Sequence, residues 1–254
     1  MGRLENNHVL VTGGSRGIGA AIVEKALQEG ARVSFVDIEI EAGRALVESL
    51  GEDDRLMFEV ADIRSADDIA RAHARFVEGL GPVTGLVNNA GRNSNADPVT
   101  MTEAQWDDVF SVDLKSAWLM ARAVLPQMIA ARRGAIVNIA SIHAIMTYPG
   151  FFPYAAAKSG LVGLTRSLAL DVGKHQIRVN ALSPGYTETY LVKEFFDNNP
   201  PDLRQKVIDV HPMGRMADPR EIANVAAFLL SDEASFVTGV NWGVDGGLSA
   251  RFAG

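Results

Sequence analysis

The chain has 254 residues, 47% hydrophobic and 22% charged, with a formal net charge of −7. That length fits one large α/β domain as well as two small ones, and so rich an apolar content excludes a disordered chain. The acidic balance, with no basic cluster beyond Arg132-Arg133, argues against nucleic acid and anionic membranes as partners, and the absence of cysteine removes disulfides, thiolate catalysis and cysteine-ligated zinc.

In chain order, His8-Val-Leu-Val-Thr12 reads as a short buried strand, and Ile18, Ile22 and Ala26 then recur at helical spacing up to Gly30. Arg32–Asp37 and Leu56–Val60 are the second and third strands. Ile69, Ala72, Phe76 and Leu80 mark one helix face, with Ser65 placed to cap it. Val83–Val87 is a fourth strand, 113–132 a long helix and Ala135–Ala140 a fifth strand. Tyr154–Asp171 is a further helix and Ile177–Leu182 a sixth strand. Strands separated by helices predict βαβ units and a parallel sheet covered on both faces. No linker or repeat divides the chain, so one domain is expected. Tyr186–Met216 is longer and more polar than a normal connection and reads as a substrate loop or lid. No signal-peptide core and no apolar run near 18 residues is present, which predicts a cytoplasmic protein.

The first strand empties into Thr12-Gly-Gly-Ser-Arg-Gly-Ile-Gly19, followed at once by a helix. Gly13 permits a tight turn, Gly17 lets the backbone approach a pyrophosphate and Gly19 lets helix and strand pack closely. The unpaired N–H groups around Ser15, Arg16 and Ile18 would face the anion. Asp37 lies twenty residues past Gly17, where a carboxylate can accept the adenosine ribose hydroxyls and repel a 2′-phosphate; NAD is therefore expected over NADP. Arg16 pulls the other way, as a cation able to pair with that phosphate. Asp62-Ile63, after the third strand, can border the adenine.

These residues, followed in order by Asn88-Asn-Ala-Gly91, Ser141, Tyr154-Ala-Ala-Ala-Lys158, Pro184-Gly185 and Val244-Asp-Gly-Gly247, resemble the short-chain dehydrogenase/reductase family across nearly the whole chain. The resemblance implies a doubly wound, Rossmann-type parallel sheet of about seven strands, and cofactor contacts from Asn89, Ala90, Gly91, Tyr154, Lys158, Pro184, Gly185, Thr187 and Thr189. It also implies Tyr154 as general acid/base, Lys158 on the nicotinamide ribose and Ser141 on the substrate oxygen. Tyr154 and Lys158, four apart, share a helix face about 6 Å apart along the axis. A lysine cation there favours the phenolate and is expected to lower the tyrosine's pKa toward the useful range. The sequence departs from the family at Asp113, where an asparagine usually completes a proton relay. A carboxylate lacks the amide's donors, and it is expected to raise the lysine's pKa or shift the rate optimum.

By family position, the substrate pocket draws on Asn93, Asn95, His143, Phe152 and Tyr186, besides Ser141 and Tyr154. Phe151 and Phe152 would offer an apolar wall, and Glu188 a further polar group. Hydrogen-bonding side chains beside an aromatic wall suit a small hydroxylated substrate, so an aldose or polyol leads. The alternative is a 3-oxoacyl group on an acyl-carrier protein, an activity that commonly uses NADPH. A third reading is a nicotinamide-bound sensor with vestigial chemistry. The five histidines show no metal-ligand spacing, so no metal is expected. The family's habit implies a homotetramer, and the terminal residues 249–254 could reach a neighbouring subunit.

Overall fold

A computed structural model of the chain describes residues 2–51 and 53–251. Seven strands form one sheet: β1 (His8–Thr12), β2 (Arg32–Asp37), β3 (Leu56–Val60), β4 (Gly85–Asn88), β5 (Gly134–Ile139), β6 (Ile177–Pro184) and β7 (Asn241–Val244). Their spatial order is β3-β2-β1-β4-β5-β6-β7, with every pairing parallel. The order reverses between β1 and β4, and such a switch point opens a crevice at the carboxyl ends of the strands.

Side-chain alternation along β1 divides the core into two layers. Val9 and Val11 pack toward α1 (Gly17–Gln28) and α9 (Pro219–Leu230), whereas Leu10 faces α3 (Ala66–Leu80) and α5 (Ser116–Ala131). The expected doubly wound, single-sheet architecture is therefore present. Ser65 caps α3 as expected, its hydroxyl accepting from the N–H of Asp68.

Several elements were not read from the sequence. α2 (Ile40–Ser49) starts without a side-chain cap. α9 carried a readable signal, since Asp218 and Glu221 form a capping box around Pro219. The polar segment after Tyr186 contains two short helices, α7 (Tyr190–Asp197) and α8 (Leu203–Val210). The helix expected at 113–132 begins earlier, as α4 (Glu103–Phe110), and passes through a π-helical turn at Ser111–Lys115 before α5. Such turns insert one residue and re-aim a side chain, here turning Asp113 inward. α6 (Tyr154–Val172) starts where expected. A buried chain of hydrogen bonds ties it to the sheet: Asn88 donates to Asn138 (2.8 Å), Asn138 to Thr165 (2.9 Å) and Thr165 to the carbonyl of Leu161 (2.8 Å). Among the described residues no helix is long and apolar enough to cross a membrane.

Thr12 closes the glycine loop against β4. Its buried hydroxyl accepts from the N–H groups of both Asn89 and Ala90 (3.0 Å each). Thr12→Val would strand two backbone donors, and we expect it to lower the unfolding free energy by about 2 to 4 kcal/mol in urea titrations, with m unchanged.

Candidate active site

At the carboxyl ends of β1, β4, β5 and β6 lies a cleft of about 430 Å³. Its floor on the β1 side is the glycine loop. Gly13 has φ +62° and Gly17 φ +55°, and a Cβ on Gly13 would meet the Cα of Ala90 at 2.9 Å. A Cβ on Gly19 would lie 2.0 Å from the carbonyl oxygen of Gly13, so that glycine serves the packing of α1 under the loop. Asn89 straps the loop from β4, its amide donating to the carbonyls of Thr12 (3.0 Å) and Gly13 (2.9 Å).

Gly13, Arg16, Gly17, Ile18, Asp37, Asp62, Ile63, Asn89, Ala90, Gly91, Pro184, Gly185, Thr187 and Thr189 all border the cleft. Ser15 and Gly19 do not. Ser15 is buried, with its N–H donating to Asp37 Oδ2 (3.1 Å) and its hydroxyl without a partner among the described residues. Asp37 Oδ1 accepts from the N–H of Glu39 (3.1 Å), which fixes the carboxylate at the cleft end. Arg16 is shared between Glu39 (2.8 Å) and the ring of Tyr190 (5.2 Å to its centroid). Asp62 is gripped by Arg64 (2.7 Å), whose hydrogen bond holds the carboxyl below its ordinary range.

The chemistry sits at the β5 end. Ser141, Tyr154 and Lys158 converge on the cleft wall. Ser141 stands just past β5, and its hydroxyl accepts from the N–H of His143 (3.2 Å). Lys158 is buried, donating to the carbonyl of Ile139 (3.2 Å) and pairing with Asp113 Oδ1 (3.2 Å), with its ammonium 5.6 Å from the centroid of the Tyr154 ring. Asp113 does not border the cleft; it lies behind Lys158 with its side chain wholly shielded. Burial pushes the Tyr154 phenol up, Lys158 and Ser141 work against that, and Asp113 adds to it, leaving the phenol above its ordinary value. Lys158 does act to lower the phenol as expected, but burial and Asp113 outweigh it. Burial would lower Lys158, but Asp113 and Tyr154 outweigh it and the ammonium ends above its usual value, the direction expected for the lysine.

The substrate side carries two corrections. Asn93, His143 and Tyr186 border the cleft, but Asn95 and Phe152 do not. Asn95 pairs with Pro153 in an isolated bridge, and its amide, correctly oriented, donates to the carbonyls of Ser94 and Gly150. Phe152 is exposed and packs near Trp106 (5.8 Å), whereas its neighbour Phe151 turns into the cleft. Glu188 is tied to Arg204 (2.9 Å) on the surface. Instead an aromatic group forms over Tyr154: His143 stacks on Phe151 (3.9 Å between centroids), meets Tyr154 edge-on (5.8 Å) and neighbours Tyr148 (5.3 Å). The hydroxyls of Tyr148 and Tyr186 touch across the mouth. Sequence reasoning also missed Glu39, Val112 and the α7 face of Tyr190, Leu191, Val192 and Phe195; the amphipathic run after Thr189 was the available signal.

The cleft fits a nicotinamide dinucleotide. Glycines stand where a side chain would fill the loop, a fixed carboxylate stands at one end of the cleft and a tyrosine–lysine pair at the other. Gly13, Gly17, Asp37, Gly91, Lys158 and Thr187 would hold the cofactor, which supplies or accepts a hydride when bound. Among the described residues no group of three or more His, Asp or Glu is placed to hold a metal.

A sheet of this order with this site defines an oxidoreductase, and the chain belongs to the short-chain dehydrogenase/reductase family. The family described as enoyl-(acyl carrier protein) reductase matches residues 13–249. Among individual proteins, the chain is similar to a 3-oxoacyl-[acyl-carrier-protein] reductase FabG of Chlamydia trachomatis, 38% identical over 250 residues covering 98% of this chain and 99% of that one. It is also similar to 2-(S)-hydroxypropyl-CoM dehydrogenase 3 of Xanthobacter autotrophicus, 35% identical and covering 98% of each. The crystal structure of levodione reductase superposes with a TM-score of 0.91 at 35% identity, covering 98% of this chain and all of that one.

Burial holds His143 and His8 down at about 4, so both are neutral in the folded protein at neutral pH. The unfolded chain takes up these protons near pH 6.5, and stability must fall as pH drops from there toward about 4. We expect urea unfolding to show a loss of about 2 to 3 kcal/mol per histidine across that window, and His143→Gln to remove its share.

Proposed function

We propose that this chain is an NAD-dependent dehydrogenase acting on a compact hydroxylated substrate, an aldose or polyol, with Tyr154 as acid/base and Ser141 holding the substrate oxygen. The observation that carries the substrate class is His143 and Phe151 set against Tyr154, with Tyr186 bordering the same cleft. Aromatic faces suit the C–H surface of a sugar ring, while the Tyr186 phenol, Asn93 and a neutral imidazole offer hydrogen bonds to its hydroxyls. His143 Nδ1 is engaged by Thr147 (2.9 Å), which leaves the other ring nitrogen for a ligand. In the oxidation, Tyr154 takes the hydroxyl proton as a hydride leaves the same carbon for the nicotinamide; reduction reverses both transfers.

NAD is supported by charge at the ribose end. Arg16 is already paired with Glu39 and Arg64 with Asp62, which leaves Asp37 as the unbalanced charge, so a 2′-phosphate would meet net negative charge. The α7 face, together with Tyr186, acts as the lid. For a homotetramer, the apolar side chains Leu119 and Val124 on α5 and Leu161 on α6 are buried within the protomer and offer no contact. An exposed tryptophan on α5, Trp118, and Leu170 on α6 supply the apolar surface instead. Of the terminal residues 249–254 expected to reach a neighbouring subunit, 252–254 lie outside the described residues.

A second reading, reduction of a 3-oxoacyl group on an acyl carrier, is favoured by the name of the Chlamydia relative and by the family description. On relatives' names alone that reading stands ahead of the sugar. Purified protein assayed with NAD and NADP against aldoses, polyols and a 3-oxoacyl thioester separates the two. We expect NAD-dependent oxidation of an aldose or polyol; NADPH-dependent turnover of the thioester as the dominant activity would replace this reading with the second.

Tyr154→Phe should cut turnover by about 10² to 10⁴-fold while NADH binding, followed by fluorescence, is kept. Light scattering should return about four protomer masses of 27.3 kDa, and a single protomer mass would rule out the tetramer.

A further inference from the structure

The buried carboxylate of Asp113 is the least explained charge in the molecule. The π-helical turn drives it beneath the cleft, where Oδ1 accepts from Lys158 (3.2 Å) and from the N–H of Arg92 (3.2 Å). Oδ2 is buried with no hydrogen-bond partner among the described residues. The pocket that admits it depends on Gly91, where a Cβ would lie 2.6 Å from Oδ1 and 3.0 Å from the Lys158 ammonium. The guanidinium of Arg92 is turned away to Asp108 on α4 and supplies no charge here. Lys158 and Asp113 thus form an ion pair screened from water, in which each cancels much of the other's field.

The charged and titratable surroundings of Tyr154 come from four directions. Lys158 approaches along its own helix, and Asp113 stands behind Lys158 on the π-helical turn. His143, on the turn after β5, presents a neutral ring edge, and Ser141 at the end of β5 offers a hydroxyl. The single cation among them is the one that Asp113 neutralises.

We propose that Asp113 sets the pH at which Tyr154 gives up its proton, by holding Lys158 in a buried ion pair that offsets the lysine's pull on the phenolate. Asp113 is a positioning residue that acts through Lys158, and the proposal rests on the reading of Tyr154 as acid/base. Its consequence is directional. A phenol that holds its proton suits protonation of a carbonyl oxygen, and alcohol oxidation by the same site should quicken as pH rises and the phenolate forms. The direction found for Tyr154, above its ordinary value, agrees with this.

The test needs no substrate and so is independent of the sugar reading. Phenolate absorbance is titrated in the cofactor-free full chain, and the curve for Tyr154→Phe is subtracted to isolate Tyr154. The wild-type midpoint should lie above the ordinary tyrosine value of about 10; a midpoint at or below about 9 overturns the proposal without any further variant. In Asp113→Asn, referenced to Asp113→Asn/Tyr154→Phe, the midpoint should fall by about one unit or more. Coincident midpoints, or a rise, overturn it. Should the asparagine variant fail to fold by near-UV circular dichroism, Asp113→Ser serves in its place with the same expectation. A residue of purely structural importance would alter the melting temperature and leave the midpoint where it was.

Discussion

The site depends on the crossing between β1 and β4. Both strands end at the point where the sheet changes direction, and Thr12 binds one end to the other by accepting two backbone N–H groups from the turn after β4. Asn89 returns the favour, donating to the carbonyls of the glycine loop. These bonds hold the glycine loop and the Asn88–Gly91 turn in one fixed relation. Gly91 then sits against Asp113 and Lys158, and Lys158 stands one helical turn from Tyr154. The Tyr154 end of the cleft is in this way indexed to its glycine-loop end through side chain–backbone hydrogen bonds.

A second set of buried polar contacts carries the index across the sheet. Asn88, Asn138 and Thr165 link β4, β5 and α6 in a hydrogen-bonded series within the core. Unpaired, those amides would cost more than they contribute; paired, they fix the rotation of α6, and that rotation decides whether Tyr154 and Lys158 face the cleft or the sheet.

The parts of the fold that were legible in the sequence are those where one local rule decides. Alternating and continuous apolar runs located β1 to β6, because a strand buried on both faces has no polar register to confuse the reading. The glycine loop was legible since three of its positions cannot carry a side chain. Asp113 was visible as a departure, but its effect was not: the fall expected for the tyrosine considered Lys158 alone, and only three dimensions show the cation already paired. Asn95 and Phe152 failed for a different reason. Neighbouring loop residues point to opposite sides, so Phe151 enters the cleft while Phe152 leaves it, and a sequence offers no period from which to tell them apart. Short helices such as α7 were lost for lack of length, although Thr189 caps it.

Gly91 carries a consequence for how such a site can change over time. A methyl group at 91 collides with the Asp113 carboxylate, while a shorter residue at 113 opens that space and at the same time frees the Lys158 charge. The two positions are therefore coupled by contact, since a methyl group at 91 meets both the Asp113 carboxylate at 2.6 Å and the Lys158 ammonium at 3.0 Å, and a change at 113 relieves one of the two. Contact geometry thus closes position 91 to any side chain while both members of the ion pair stay in place, and the turn after β4 can drift only together with the pair behind it.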